Sequence, residues 1–257
     1  MQTASETIYE QPLNERLRFF LRLEHLFKRA RYSLHGKSHW DSHNSLSTLL
    51  EILAIVTRID MKTEVIKELD RISAVLGAHR QSPNVNHSTL DQLLTTLGGF
   101  KMQLYSQDGQ LAQNLKENEL LKLLSQRSGV PGGMCDFDLP AYRYWLNRSP
   151  EARINDLKNW LSSLDSLRLS VELMLKLIRE SAEPKMQVAE NGNFQQSLLA
   201  EMPYQMIRII LPAASPYFVE ISAGKHRYTA RFMEARHAAR PVQTANNVEF
   251  YVSCCAL

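Results

Sequence analysis

Tyr217-Phe-Val-Glu-Ile-Ser-Ala-Gly-Lys-His-Arg-Tyr-Thr-Ala-Arg-Phe-Met233 is the run on which the reading of this chain turns. Two β-prone arms flank Ser222, Ala223 and Gly224, small residues suited to a tight reversal, so a β-hairpin is expected. Side chains alternate faces along a strand. In the second arm His226, Tyr228, Ala230 and Phe232 therefore share one face, and Lys225, Arg227, Thr229 and Arg231 share the other. One face is mostly apolar and the other carries three cations. A solvated outer face is the plain reading of such a strand. Two points favour an anionic partner instead. Arginine's planar fork matches carboxylates better than water alone requires, and no acidic residue alternates with the cations within this strand.

The period of two extends around this hairpin. Lys185 to Val188, the turn signal Asn191-Gly192, and Phe194 to Leu198 predict another hairpin. Tyr204, Met206, Arg208 and Ile210 alternate with Gln205, Ile207, Ile209 and Leu211, and Val248, Phe250, Val252 and Cys254 mark a last strand after an Ala- and Pro-containing link over 235–247. Upstream of residue 183 the period is helical. A helix opens at Asn14 and carries a wide apolar stripe through Leu17, Phe20 and Phe27. Leu46, Leu49, Leu50, Leu53 and Val56 keep a 3.6 spacing that ends at Arg58. Thr63 is expected to cap the next helix and Ser88-Thr89-Leu90-Asp91 reads as a capping box. A helix is expected over 111–126. Ser149-Pro150-Glu151 starts another, and Leu167, Val171, Met174 and Ile178 mark the last before Pro184. Helices first and strands afterwards indicate an α+β fold with segregated layers. The expected division is an all-helical domain over 1–182 and a smaller antiparallel β domain over 183–257. Thr7 to Glu10 is a short β-prone run, ended by Pro12, available to join the sheet.

At 257 residues the chain has ample core for one large domain or two modest ones. Hydrophobic content of 44% and charged content of 22% are ordinary for a globular protein. A net charge of +3 is too small to require nucleic acid, so any basic function is local. The first residues lack the apolar core of a signal peptide. No segment offers the roughly 18 uninterrupted apolar residues of a membrane span. A cytoplasmic location and the absence of membrane insertion are the expectation. The three cysteines fit a reducing compartment; Cys254 and Cys255, adjacent on a strand, face opposite sides and read as packing residues.

Three local patterns imitate chemistry. His35, His39 and His43 recur every four residues around Asp41, but Gly36 and the neighbouring serines read as a polar connection over 33–44, which does not align them for a metal. Gly36-Lys37-Ser38 resembles the end of a phosphate loop, yet Arg31 stands where its first glycine belongs and no strand precedes it. Asp136, Asp138 and Cys135 lie in a Gly- and Pro-rich run with no histidine near in sequence, and read as part of a rigid chain reversal. No catalytic residue, metal or cofactor is expected.

Several blocks then become familiar. Pro12-Leu-Asn-Glu15, Leu21-Arg-Leu-Glu24, Lys67-Glu-Leu-Asp-Arg71, Val130-Pro-Gly-Gly133, Phe137-Asp-Leu-Pro140, Trp145-Leu146 and Trp160-Leu-Ser-Ser-Leu164 resemble the ZapD family of cell division proteins. Leu177-Ile-Arg179, Lys225-His-Arg227, Arg231-Phe-Met233, Phe250 and Cys254-Cys255 continue that resemblance in order along the chain. The resemblance implies a non-enzymatic cytoplasmic homodimer of the bacterial division apparatus, with a helical domain that dimerises and a β domain. It implies binding to the C-terminal tail of FtsZ and bundling of FtsZ filaments at midcell. It also implies a basic tail site, whose matching positions here are Arg58, Arg227 and Arg231, with Lys225 adjoining. The turn before Lys225 departs from the family's Gly-His, which leaves that lysine's approach open. A nucleic-acid-binding protein is the rival use of a basic strand, disfavoured because Tyr228 and Phe232 point away from the cations.

Overall fold

The computed structural model describes residues 6–58, 60–83, 85–106, 111–135, 137–224, 226–236 and 239–257. The fold is α+β: helices occupy the N-terminal part and antiparallel strands the C-terminal part. By compactness, one unit is Phe19–Met174 and the other comprises the described residues up to Arg18 together with Leu175–Leu257. The chain passes between them within two helices, α1 (Glu15–Ser33) and α9 (Asp165–Glu180).

The helical unit continues with α2 (His39–Arg58), α3 (Met61–Ala78), α4 (His87–Ser106), α5 (Gln113–Lys116), α6 (Glu119–Arg127), α7 (Pro140–Leu146) and α8 (Pro150–Ser162). Side-chain caps place these boundaries, and several differ from the expected ones. Asp60, not Thr63, caps α3, and its carboxylate accepts from the Thr63 amide at 3.2 Å and the Thr63 hydroxyl at 2.6 Å. Asn86 caps α4, accepting from the Thr89 amide at 3.1 Å. The expected helix over 111–126 is broken, because Asn118 accepts from the Leu121 amide at 3.0 Å and starts α6 afresh. Ser149 caps α8 as expected, with Pro150 at its first position.

The expected polar connection over 33–44 is also shorter than read. Ser38 and Asp41 cap each other reciprocally, through the Ser38 amide to Asp41 Oδ2 at 3.1 Å and the Asp41 amide to Ser38 Oγ at 3.1 Å. Helix α2 therefore begins at His39. Gly36 tolerates this because a Cβ there would lie 2.0 Å from Asp41 Cγ. The serine that spoke against a helix is its cap.

The second unit is a β-sandwich. Its strands are β1 (Glu6–Pro12), β2 (Lys185–Ala189), β3 (Asn193–Ser197), β4 (Tyr204–Pro212), β5 (Tyr217–Ala223), β6 (Arg227–Glu234), β7 (Val242–Gln243) and β8 (Val248–Ala256). One sheet has the order β1-β4-β8-β2, the other β3-β6-β5 with β7 also on β6. Ile207, Ile209 and Leu211 of β4 and Val248, Phe250 and Val252 of β8 meet Tyr228, Ala230 and Phe232 of β6 in one apolar core. Phe232 and Phe250 lie at 4.8 Å between ring centroids across it. Strand β1 pairs with β4 from Glu6↔Pro212 to Pro12↔Met206. Glu10 fastens it: its carboxylate accepts from Arg179 Nε at 2.8 Å and Arg208 Nε at 3.0 Å. Ion pairs with such limited exposure are screened less than surface ones.

The Asn191-Gly192 signal makes a tight turn but not the expected hairpin ladder. Both residues have positive φ, 49° and 69°, as the hairpin turn type requires. Only the bridge Glu190↔Asn193 follows; β2 then pairs with β8 in one sheet and β3 with β6 in the other. The turn is a corner between layers. Gly192 is needed twice over, since a Cβ there would also meet the Thr244 carbonyl oxygen at 2.6 Å.

Candidate functional site

The hairpin at the centre of the sequence reading is β5–β6, in register from Tyr217↔Glu234 to Ala223↔Tyr228. Its reversal lies two residues later than expected. Ser222 and Ala223 belong to the strand, and the Gly224 amide donates to the Arg227 carbonyl at 2.9 Å to close the turn. His226 consequently sits in the turn and is exposed, not on the apolar face with Tyr228. Lys225 lies outside the described residues.

The two faces of β6 separate as its alternation requires. Tyr228, Ala230 and Phe232 have no exposed surface, while Arg227 and Arg231 are exposed. With about 3.3 Å rise per residue the two arginines stand roughly 13 Å apart on one face. The same face is extended by neighbours in register: Ser197 beside Arg227, Gln195 and Ser222 beside Thr229, Asn193 and Glu220 beside Arg231. Beyond them Phe218, half-buried, stands opposite Met233. The cation strand is thus embedded in a polar surface with an apolar end. Tyr228 and Phe232, the strand's own aromatics, are in the core and offer no stacking platform.

The arginines are not equivalent. Glu220 on β5 faces Arg231 directly, with Oε2 2.9 Å from Nη2. The cation face read from β6 alone therefore includes a carboxylate from the adjacent strand, which alternation within one strand does not reveal. Arg227 has no ion-pair partner among the described residues.

Arg58 belongs to the helical unit, exposed in the last turn of α2. It lines a groove of about 290 Å³ with Leu50, Leu53 and Thr57 of the same helix and Lys116 and Lys122 of α5 and α6. An apolar floor edged by cations suits an acidic chain with apolar side chains. Lys122 is 3.8 Å from Glu119, a loose and exposed pair of little energetic weight.

Other titratable groups have structural employment. Tyr228 Oη donates to Gln196 Oε1 at 2.7 Å, and burial holds its phenol protonated far above the ordinary range. Cys254 points inward toward that hydroxyl, whereas Cys255 faces the other side of β8, where burial pushes its thiol up to about 11. Cys135 lines a cavity of about 620 Å³ in the helical unit with Trp40, His43, Met134 and Tyr142. Two histidines of α2, His39 and His43, line the same cavity, and His43 Nδ1 is engaged by Tyr142 Oη at 2.6 Å. Asp138 is exposed, and Asp136 lies outside the described residues. Among the described residues no group of three His, Cys, Asp or Glu side chains is placed to hold a metal, and no helix is long and apolar enough to cross a membrane.

Burial lowers the pKa of His43 below the ordinary histidine range. The unfolded chain takes up that proton as pH falls through about 6.5, and the folded chain only at lower pH, so stability should decline over this interval. In urea melts, the fall in midpoint from pH 7 to pH 5.5 should be shallower for His43→Gln than for wild type. Parallel curves would show that His43 is not the source.

Comparison with known proteins places the chain among relatives of one kind. The model of the ZapD family, described as a cell division protein, matches residues 21–231. The cell division protein ZapD of Methylococcus capsulatus is 39% identical over 98% of this chain and 99% of its own length. Those of Aromatoleum aromaticum and Coxiella burnetii are each 36% identical, covering 97% and 99% of this chain and 97% and 99% of their own lengths.

Proposed function

The chain belongs to the ZapD family of cell division proteins, and from that premise we propose that it binds the C-terminal tail of FtsZ and bundles FtsZ filaments. In this reading a homodimer in the cytoplasm at midcell meets the tails with cations of the β unit, Arg227, Arg231 and Lys225, and with Arg58 of the helical unit. No catalytic step or cofactor is involved. What carries the reading is Arg227, exposed at the turn end of β6 on a polar sheet face, with no ion-pair partner among the described residues.

A disordered tail gives up conformational freedom when it docks, so a single site binds weakly. Charge-assisted hydrogen bonds from arginine to tail carboxylates offset part of that cost. Filaments display many tails and a two-fold dimer holds two sites, so avidity supplies the cross-link without further contacts. The dimer contact is assigned to residues 1–180.

FtsZ lacking its C-terminal tail should polymerise with GTP yet fail to co-sediment in bundles with this protein, while full-length FtsZ bundles. The protein alone should scatter light as a dimer at micromolar concentration. Bundling of tail-less filaments would move the site onto the GTPase domain, and a strictly monomeric protein would remove the cross-linking mechanism.

A further inference from the structure

The face that carries Arg227 and Arg231 contains its own carboxylate. Glu220 stands opposite Arg231 in the β5–β6 ladder and meets it through a single contact, Nη2 to Oε2 at 2.9 Å. The two side chains are 52% and 47% exposed, so the pair is hydrated, screened and of little weight for folding. Arg227, four residues along the same strand face, has no such partner among the described residues.

From this asymmetry we infer that Glu220 is a built-in competitor for the acidic partner: it holds Arg231 in the free protein and must give it up before a partner carboxylate can take a bidentate grip. The inference rests on the reading that this face takes an acidic tail. The guanidinium has five N–H donors in a planar fork, and one of its ends is committed to Glu220. A second carboxylate arriving beside Glu220 meets like charge well within a Debye length, whereas at Arg227 it meets none from within this face. Docking therefore begins at Arg227 and reaches Arg231 only as Glu220 swings aside. Weakening the single site in this way shifts discrimination to valency. A lone tail is held poorly, and an array of tails on a filament is held well.

Because the pair adds little to the sheet, Glu220→Gln is expected to fold normally and keeps a side chain of the same size. Affinity for a peptide of the FtsZ tail sequence is measured on the full chain for wild type, Arg227→Ala, Glu220→Gln, Arg231→Ala and the variant carrying both Glu220→Gln and Arg231→Ala. Glu220→Gln should tighten binding by about 3–10-fold, and the gain should shrink by about threefold or more when Arg231 is absent. An equal gain with and without Arg231 would reduce Glu220 to a general charge effect and overturn the inference. Unchanged affinity would overturn it too, and weaker binding would make Glu220 a positioning residue for Arg231. Failure of the underlying tail reading looks different: wild type would not bind the peptide, or Arg227→Ala would bind it as well as wild type.

Discussion

Replacing Arg153 by methionine should destabilise the helical unit by about 3–5 kcal/mol, the order expected when several buried acceptors lose their donors at once. Arg153 is 2% exposed. Its guanidinium donates to the carbonyls of Leu146 at 2.7 Å, Arg148 at 2.6 Å and Lys37 at 2.9 Å, and to Ser42 Oγ at 3.0 Å. These partners are carbonyls and a hydroxyl, two of the carbonyls at and just beyond the C-terminal end of α7, where the helix dipole is negative. One side chain thereby joins α8 to the end of α7, to the start of α2 and to the loop before it. Methionine fills much of the volume but leaves buried carbonyls without donors, each costing about 1–3 kcal/mol. Lysine should recover little, because a compact ammonium cannot reach four acceptors spread around a planar fork. Urea melts with an unchanged m-value would report the loss directly. A change within about 1 kcal/mol would mean that water takes over the acceptors.

Arg227→Ala should weaken tail binding by about 1.5–3 kcal/mol, roughly 10- to 150-fold, as expected for a charge-assisted hydrogen bond. Arg231→Ala should cost less, since Glu220 already holds that guanidinium in the free protein. Arg227→Lys should restore part of the affinity but not the bidentate geometry. Binding should weaken with salt, because part of the attraction acts through solvent. His226 is unsuitable as a charge-reversal control, for it is exposed in the turn beside Arg227. Lys185→Ala removes the same charge from an exposed position in the other sheet and should cost far less. Peptide titrations of these four variants, with folding and dimerisation checked in each, decide the matter. If Arg227→Ala binds as wild type does, the strand is a solvated face and the tail docks elsewhere.

The order of helices and strands was legible because hydrophobic periodicity is local. The 3.6 spacing of Leu46, Leu49, Leu50 and Leu53 and the alternation of Tyr228, Ala230 and Phe232 each follow from one element burying one face. Helix starts were less legible. Asp60 and Asn86 cap helices from just before the residues expected to do so, and Ser38 caps one where a connection was expected. Ser, Thr, Asp and Asn serve equally as caps and as turn formers, so composition alone does not choose among neighbours.

Alternation along β6 was sufficient to set Arg227 and Arg231 on one face and their aromatic neighbours in the core. The charge balance of that face was not in the strand. Glu220 comes from β5 by register, and register depends on the length of the reversal, which closes at Gly224 and Arg227, two residues past the expected point. Asn191-Gly192 likewise announced a tight turn, but whether the strands beyond it stay paired depends on which sheet each can complete. Here β8 takes β2, β6 takes β3, and a local hairpin signal becomes a corner. Arg153 shows the same limit from the other side. In sequence it is the single arginine of α8, with nothing beside it to set it apart from an exposed one. Its burial is decided by carbonyls from residues 37, 146 and 148 converging on it. Periodicity reports which face of an element is buried, because that is a property of neighbours along the chain; the partners that satisfy a buried charge or occupy an exposed one come from distant segments, and packing alone brings them there.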